Sequence, residues 1–369
     1  MTAPSAFARE LGLRYPIVQG PMNGASPPAL AVAVSNAGAL GSCAAALFSP
    51  AVILERVQQI RAQTAAPFNI NLFLLDEQHP DLAELKRAQH LLRPFREALG
   101  LSEPPIPTQF AENNRDQIAA LLEAAPPVVS FTFGVLPRAT VTQFKKAGSR
   151  VIGTATTVAE ARAWEEAGAD FVCVSGAEAG GHRPTFLGDI EQSCVGLMAL
   201  LPQVAAAVKI PAIAAGGIMN GRGIAAAQLL GAQAAQLGTA FLCSPESGIA
   251  EAWRAALRNA GDDSTRLTRA FSGRPARGIV NDFMRQMRAE EAQILPYPVQ
   301  NALTGDIRQA AAKAGRGSLC RCGPGRAWAW RGRCRRRSWS PPWRRSWKRC
   351  ELVCAIYCCG NVKRRRGEA

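Results

Sequence analysis

The stretch FVCVSGAEAGGH, residues 171–182, carries the pattern on which the fold prediction depends. Phe171–Val174 is a short apolar run rich in β-formers, so it predicts a buried strand. The run leads into a loop of small residues that ends on Gly181 and His182. A helical pattern over Val158–Ala167 precedes it. Helix, strand and glycine-rich loop in this order are typical of one unit of a parallel α/β protein.

The same unit recurs through residues 10–260, where apolar runs alternate with helical stretches such as Gly223–Leu230. Alternation predicts parallel strands covered by helices, and eight strands favour a closed barrel over an open sheet. The predicted fold is an α/β (β/α)8 TIM barrel with an insertion after strand 3, residues 76–115, and an additional C-terminal segment. The candidate strands are Ile17–Gln19, Ala39–Ser42, Phe68–Phe73, Val128–Thr132, Val151–Thr154, Phe171–Val174, Ala212–Ala215 and Ala235–Leu237.

Small residues follow four of these strands, at Gly20–Gly24, Ser175–His182, Ala215–Gly217 and Gly238–Ala240. Strand ends share one face of a barrel, and active sites lie there. Glycine lets backbone N–H groups approach a ligand without a Cβ in the way, and the last two turns occupy the usual phosphate position of a barrel. A tight turn alone explains any one of them. Four turns on one predicted face favour a phosphorylated ligand.

His182 is the only one of three histidines in a glycine-rich strand-end loop, because His79 and His90 lie in the polar insertion. A lone histidine is most often structural, but this placement favours a catalytic or anion-binding imidazole. Glu178 either orients His182 or is an ordinary loop carboxylate. Asn71, inside an apolar strand, either binds the uracil-like edge of a flavin or is a core amide with its own partners.

The net charge of +15 belongs to the end of the chain. From Arg316 onward there are 16 of the 43 Lys and Arg residues and two of the 28 acidic residues, which leaves +1 for residues 1–315. Seven of the 11 cysteines and five of the seven tryptophans lie in the same stretch. The spacing of Cys350, Cys354, Cys358 and Cys359 lacks a paired C-x2-C framework, so we expect no metal site.

Six segments together resemble the nitronate monooxygenase family, formerly 2-nitropropane dioxygenases, class I. They are Gln19–Gly24, Asn71–Phe73, Gly176–Phe186, Ala215–Gly223, Gln236–Phe241 and Ser272–Gly278, in family order over roughly residues 10–310. The resemblance implies an FMN-dependent barrel that oxidises alkyl nitronates such as propionate 3-nitronate with O2, giving a carbonyl compound and nitrite. One departure is Pro184, where the family usually has Gly; proline restricts Arg183 and removes a backbone donor.

The resemblance also implies roles for particular residues. His182 would be catalytic and would bind substrate. Tyr297, one of only three tyrosines, is a second candidate for the substrate pocket from the sequence itself, with an anchoring aromatic in a Pro-rich segment as the competing interpretation. The residues implied around the flavin are Gln19, Gly20, Pro21, Met22, Asn71, Gly181, Ala215, Gly216, Gly217, Gly238 and Thr239.

Two other functions remain open at this stage. One is an FMN-dependent NAD(P)H:quinone or enoyl-thioester reductase on a related barrel. The other is nucleic-acid binding through the basic tail, whose charge and tryptophans suit phosphate and base contacts; we expect nonspecific binding only. No run of 18 apolar residues and no signal-peptide pattern appear, so we expect a cytoplasmic protein without a membrane span.

The tail has the features of a frameshift product. Read one base earlier, permitted codons for Arg321–Ser338 can spell SLWAGQGVGLARAMPAAE, which contains the W-A-G-Q-G closing segment typical of the family. We therefore place a frameshift near Gly317. The expected division is an FMN-binding barrel over residues 1–261, a substrate-side segment over residues 262–316 that packs on it, and a disordered basic tail over residues 317–369 without a catalytic role.

Overall fold

The computed structural model describes residues 5–319 and Gly325; the predictions made for the rest of the tail lie outside these residues. The main feature is a sheet of eight parallel strands in the order β1-β9-β8-β6-β5-β4-β3-β2. The strands of the structure are β1 Ile17–Gln19, β2 Gly41–Ala44, β3 Phe68–Phe73, β4 Val128–Thr132, β5 Arg150–Ala155, β6 Phe171–Ser175, β7 Gly181–His182, β8 Ala212–Ala215, β9 Ala234–Leu237, β10 Thr265–Thr268 and β11 Ala276–Ile279.

The sheet closes on itself between its first and last members. Val18 of β1 forms a parallel bridge with Leu40, just before β2. The Leu40 N–H donates to the Ile17 carbonyl at 2.9 Å, and the Gln19 N–H donates to the Leu40 carbonyl at 2.9 Å. Because the edges are joined, the predicted (β/α)8 TIM barrel is confirmed.

Helices cover the barrel and build the two extra segments. They are α1 Ala6–Glu10, α2 Pro28–Asn36, α3 Pro50–Arg61, α4 Leu82–Glu97, α5 Asn114–Ala124, α6 Arg138–Lys146, α7 Val158–Ala167, α8 Leu197–Ala207, α9 Gly221–Leu229, α10 Glu251–Asn259, α11 Asp282–Met287, α12 Val299–Leu303 and α13 Gly305–Lys313. None of the helices within residues 5–319 has the length and apolar character of a membrane-spanning helix.

The insertion after β3 folds as a helix with a buried face. Asp81 and Glu84 form a reciprocal capping box that starts α4. Leu85, Leu92 and Phe95 then share one face at helical spacing, and they pack against the segment beyond residue 262. The ring centroids of Phe95 and Phe283 lie 4.5 Å apart, so the insertion and the C-terminal segment form one core beside the barrel.

A small antiparallel sheet connects this segment to the barrel face at which the parallel strands end. Its order is β10-β11-β7, and β7 is the two-residue strand that contains His182. Ala276 of β11 pairs with His182, and the Arg183 N–H donates to the Pro275 carbonyl at 2.8 Å. The loop after β6 is therefore held from outside the barrel, by residues about 90 positions further along the chain.

Candidate functional site

The glycine turns after β1, β8 and β9 meet at one end of the barrel, as the sequence predicts. The Gly20 N–H donates to the Leu237 carbonyl at 2.9 Å. A Cβ at Gly20 would lie 3.4 Å from the Gly238 Cα, and a Cβ at Gly238 would lie 3.5 Å from the Met22 sulfur. The first and last turns of the barrel are thus in van der Waals contact.

The turn after β8 depends on glycine for its conformation. Gly216 has φ +121° and Gly217 has φ +68°, a region that L-residues rarely adopt. A Cβ at Gly216 would also lie 3.2 Å from the Ala179 nitrogen. The turns after β6 and β8 are therefore packed backbone against backbone.

Four backbone N–H groups at this end are available to a ligand. Those of Gly216, Gly217, Gly238 and Thr239 donate to no other described residue. Thr239 also starts a short 3-10 turn, Thr239–Phe241. Its hydroxyl accepts a hydrogen bond from the Gly325 N–H at 2.8 Å, which places one residue of the C-terminal tail beside these groups. Convergent N–H donors of this kind suit a phosphate.

The side chain of Gln19 is buried and bonded to the chain itself. Its amide NH2 donates to the Gly20 carbonyl and, at 2.9 Å, to the Ser26 hydroxyl, while its carbonyl accepts from the Ser42 N–H at 2.9 Å. The Ser26 hydroxyl also accepts from the Met22 N–H at 3.0 Å. Gln19 therefore fixes the conformation of the turn that contains Pro21 and Met22 through hydrogen bonds within the protein.

Asn71 has hydrogen-bond partners of its own within the barrel. Its NH2 group donates to the Ser130 carbonyl at 3.1 Å, to the Ser130 hydroxyl at 3.0 Å and to the Thr132 hydroxyl at 3.3 Å. The Asn71 Oδ1 atom accepts no hydrogen bond from the described residues. The amide is thus fixed through its nitrogen, and one acceptor is left for a ligand.

His182 lies among aromatic rings at the same end of the barrel. Its ring centroid is 6.1 Å from that of Phe73, 5.5 Å from that of Phe133 and 5.3 Å from that of Tyr297, all in edge-to-face geometry. We call these four residues the aromatic pocket. The structure therefore brings together His182 and Tyr297, the two residues named from the sequence as candidates for contact with substrate.

Ser272 holds the imidazole in place. The Nε2 atom of His182 lies 2.9 Å from the Ser272 hydroxyl oxygen. Glu178 does not have the orienting role that was one of its two interpretations. Its carboxylate accepts from the Leu197 N–H at 3.0 and 3.1 Å, at the start of α8, and is a loop carboxylate.

Arg183, next to the departure at Pro184, is buried and bonded to backbone carbonyls. Its guanidinium donates to Gly176 at 2.7 Å, Ser193 at 3.1 Å and Ser175 at 3.3 Å. Burial lowers the pKa of Arg183. Through these hydrogen bonds, the Arg183 side chain fixes the conformation of the loop between β6 and His182.

The structure adds three residues whose roles the sequence did not reveal. Phe133 completes the aromatic pocket, although it lies just beyond the predicted fourth strand. Ser272 and Arg274 lie in Ser272–Gly278, one of the segments that resemble the family, and the resemblance implies no role for either residue. The guanidinium carbon of Arg274 lies 4.1 Å from the Phe133 ring centroid, and burial lowers the pKa of Arg274 to about 10, which leaves it charged at neutral pH.

Metal ligands are not gathered at this face. Within residues 5–319, no three His, Cys, Asp or Glu side chains come together in a way that could hold a metal ion. The four described cysteines, Cys43, Cys173, Cys194 and Cys243, are free thiols.

Comparisons with known proteins agree with this geometry. The family model described as "Nitronate monooxygenase" matches residues 5–322. A "Probable nitronate monooxygenase" of Staphylococcus haemolyticus (strain JCSC1435) is 40% identical over 311 residues, 84% of this chain and 87% of that protein. One from Staphylococcus aureus (strain MSSA476) is 40% identical over 306 residues, 83% of this chain and 86% of that protein.

Solved structures show the same relationship. The nitroalkane oxidase from Streptomyces ansochromogenes superimposes with a TM-score of 0.80 at 40% identity, covering 87% of this chain and 91% of that one. FabK from Thermotoga maritima superimposes with a TM-score of 0.69 at 29% identity, covering 89% and 90%. The family match, the conserved barrel and the sequence identity over most of both chains lead to one conclusion: this chain is an oxidoreductase and belongs to the nitronate monooxygenase family.

Proposed function

We propose that the chain binds FMN and uses it with O2 to oxidise alkyl nitronates of the propionate 3-nitronate type to a carbonyl compound and nitrite. The observation that carries the proposal is the position of His182. Its imidazole is fixed by Ser272 inside the aromatic pocket, at the barrel face that also presents the free N–H groups of Gly216, Gly217, Gly238 and Thr239.

The residues present fit a flavin mononucleotide. The four N–H groups suit its single phosphate, and the backbone of Gly20 and Gly238 and the side chain of Met22 lie in van der Waals contact at the same end of the barrel. Asn71 Oδ1 would accept a hydrogen bond from a ring N–H of the flavin, since Ser130 and Thr132 already fix the amide nitrogen. The G-x-G-x-x-G fingerprint of dinucleotide-binding folds does not follow β1, and this favours a mononucleotide as the flavin.

When bound, FMN supplies the electron acceptor that the side chains of this chain lack, and it supplies reactivity toward O2. His182 provides the polar contact for an anionic nitronate and can exchange a proton with it near neutral pH. Ser272 keeps the ring in one orientation. Phe73, Phe133 and Tyr297 surround the imidazole with apolar surface, which excludes water and strengthens the attraction between the imidazole and an anion.

The test is product formation by purified protein loaded with FMN. We expect propionate 3-nitronate to cause O2 uptake and nitrite release, and propionate to cause neither. The released cofactor should run as FMN on chromatography after heating. Nitrite release at the blank rate from protein with full flavin content would overturn the proposal, and FAD as the sole released cofactor would overturn its cofactor part.

The second candidate is an FMN-dependent NAD(P)H:quinone or enoyl-thioester reductase. The similarity to FabK, at 29% identity over most of both chains, is the observation in its favour. The 40% identity to the nitroalkane oxidase, over a similar share of the chain, favours nitronate oxidation. Rapid consumption of NADH together with no nitrite from the nitronate would support the reductase instead.

A further inference from the structure

Glu160 is a fully buried carboxylate in the first turn of α7. Its Oε2 atom accepts from the Thr156 N–H at 2.6 Å and from the Thr156 hydroxyl at 2.7 Å. Its Oε1 atom accepts from the N–H groups of Phe186 and, at 2.9 Å, of Leu187. An ionised carboxylate only accepts hydrogen bonds, and its burial is costly unless donors surround it. The four donors therefore match the acceptor capacity of this side chain.

The local sequence of Glu160 indicates a different set of contacts. Thr157 is the N-cap residue of α7, and its hydroxyl accepts from the Glu160 N–H at 3.2 Å. Thr157-x-x-Glu160 is the pattern of a capping box, in which the glutamate side chain bonds back to the N–H of the cap residue. Here the side chain reaches Thr156 and a loop 26 residues later in the chain. That loop follows His182.

A chain of hydroxyl groups connects the same carboxylate to the loop a second time. The Thr156 hydroxyl donates to Glu160, so it is the acceptor in its 2.8 Å contact with the Thr185 hydroxyl. The Thr185 hydroxyl also lies 2.7 Å from that of Ser193. All three hydroxyl-bearing residues are buried, and hydrogen bonds in a buried chain strengthen one another. These contacts stabilise one conformation of the loop.

The opposite side of the loop is held by the segment that leads into β11. The Arg183 N–H, next to His182, donates to the Pro275 carbonyl at 2.8 Å. The Arg274 guanidinium donates to the Arg183 carbonyl at 3.0 Å and to the Thr185 carbonyl. The residues after the imidazole are thus fixed between this segment on one side and the start of α7 on the other.

The charge of Glu160 also acts on two buried guanidinium groups of this region. Burial lowers the pKa of Arg183, and it lowers the pKa of Arg274 to about 10. In both cases the Glu160 carboxylate offsets part of the effect of burial, because a nearby anion favours the charged form of arginine. A neutral side chain of the same shape would therefore stabilise both cations less.

We propose that Glu160 is a positioning residue for the reaction, because it fixes the loop that holds His182 in the aromatic pocket. This inference rests on the proposed function, which assigns the chemistry to the imidazole. Glu160 acts through the backbone of Phe186 and Leu187. A displacement of a reacting group by about 1 Å is enough to lower a rate by about a hundredfold, so a residue at this distance along the chain can control the rate.

The first variant is E160Q, which keeps the shape of the side chain and removes its charge. Whichever way the new amide turns, its NH2 group faces either the two donors of Thr156 or the N–H groups of Phe186 and Leu187. We expect kcat/KM for propionate 3-nitronate to fall by about ten- to a hundredfold in protein with full flavin content. Unchanged activity in E160Q would overturn the proposal.

E165Q is the matched control. Glu165 lies on the same helix, and it too accepts from two backbone N–H groups of a loop, those of Lys209 and Ile210. These two residues precede β8, so they lie at the end of the barrel opposite the loop that contains the imidazole. We expect kcat/KM of E165Q to equal that of the unaltered protein.

A second pair of variants tests the same network with the carboxylate retained, and it replaces E160Q if that variant does not fold. T156V removes the hydroxyl between Glu160 and Thr185, and T156S keeps it. We expect T156V to lower kcat/KM by about three- to tenfold, the usual net value of one hydrogen bond, and T156S to restore it. Equal kcat/KM in T156V and T156S would contradict the network.

A double-mutant cycle separates positioning from a general loss of stability. If Glu160 acts through His182, E160Q should lower kcat/KM of H182N by less than about threefold, because the ring that it positions is already absent. A loss as large in H182N as in the unaltered protein would show that Glu160 is only structural.

Amide hydrogen exchange gives a readout that needs no turnover. In E160Q loaded with FMN, we expect exchange about tenfold faster or more at Phe186 and Leu187, and also at Arg183, whose N–H is bonded to Pro275 and not to Glu160. Acceleration that does not reach Arg183 would overturn the positioning role. If the unaltered protein oxidises no nitronate, the proposed function fails, and the exchange at Arg183 still decides about Glu160.

Discussion

The Nε2 atom of His182 lies 2.9 Å from the hydroxyl oxygen of Ser272, a residue 90 positions away in the chain. Ser272 belongs to the segment between β10 and β11, and β11 pairs with the short strand that contains His182. The imidazole is thus oriented by a part of the chain outside the barrel. The segment from residue 262 onward therefore contributes residues to the candidate site.

Replacement of Ser272 by alanine tests this orienting contact. We expect S272A to lower kcat/KM for the nitronate by about three- to tenfold, the usual net value of one hydrogen bond, with an altered pH profile and unchanged flavin content. The control is S149A, because the Ser149 hydroxyl makes a buried hydrogen bond to the Pro126 carbonyl far from the pocket. The same pH profile in S272A and S149A would show that Ser272 is only structural.

Replacement of His182 by asparagine tests the imidazole itself. The change keeps a polar side chain of similar reach but removes the titratable ring, so we expect nitronate oxidation to fall by about a hundredfold or more. Flavin binding should be retained, because no phosphate or ring contact is assigned to this side chain. H90N, on the exposed face of α4, is the control. Full activity in H182N would show that His182 has only a structural role.

Replacement of Gly216 by alanine tests the phosphate turn. The new Cβ would meet the Ala179 nitrogen at 3.2 Å, at a φ of +121° that alanine disfavours, so we expect flavin occupancy to fall. Gly148 offers a matched control, with φ +90° and no atom within 4 Å of its added Cβ. G148A should share the backbone strain and keep its flavin. Equal flavin content in both variants would argue against a ligand at the Gly216 turn.

Truncations test where the folded chain ends. Leu319 is buried in the core beside the barrel, and the Gly325 N–H donates to Thr239, so a cut after Gly317 removes two contacts that a cut after Gly325 retains. We expect the chain that ends at Gly317 to have the lower Tm and flavin occupancy, since burial of a leucine contributes about 1.5–3 kcal/mol. Identical melting curves for the two truncated chains would contradict this.

The frameshift hypothesis adds a third chain to that comparison. The codon choices that give W-A-G-Q-G keep glycine at position 325, and a Cβ there would lie 2.9 Å from the Glu178 carbonyl oxygen. We expect the frame-restored chain, with W-A-G-Q-G and a helix after it, to have higher flavin occupancy and Tm than the chain that ends at Gly325. We also expect nonspecific nucleic-acid binding only with the basic tail present. If the restored chain has neither higher flavin occupancy nor higher Tm than the chain that ends at Gly325, the frameshift has no functional consequence.

Much of the barrel follows from local sequence signals. All eight predicted strands are present, because each is a short apolar run, and small residues follow four of them. The second strand begins two residues later than predicted, at Gly41, since Leu40 forms the bridge to Val18 instead. The buried face of α4 also had a signal, in the spacing of Leu85, Leu92 and Phe95, but the polar composition of the insertion hides it.

The details of the pocket depend on long-range pairing, which leaves no local pattern. β7 has two residues, too few for strand periodicity, and its partner β11 lies about 90 residues later. The contacts of Ser272 with His182 and of Arg274 with Phe133 exist only once that pairing has formed. Likewise, Gln19 matches the family motif, but only the structure shows that its amide is used by Ser26 and Ser42.

The most direct test of nitronate oxidation is the flavin spectrum under anaerobic conditions. Purified protein loaded with FMN is mixed without O2 with propionate 3-nitronate in one sample and with NADH in another. The visible absorbance of the flavin is followed in both. Our account predicts rapid loss of the oxidised flavin band with the nitronate and no such loss with NADH. Bleaching by NADH, with an unchanged spectrum in the presence of the nitronate, would contradict it.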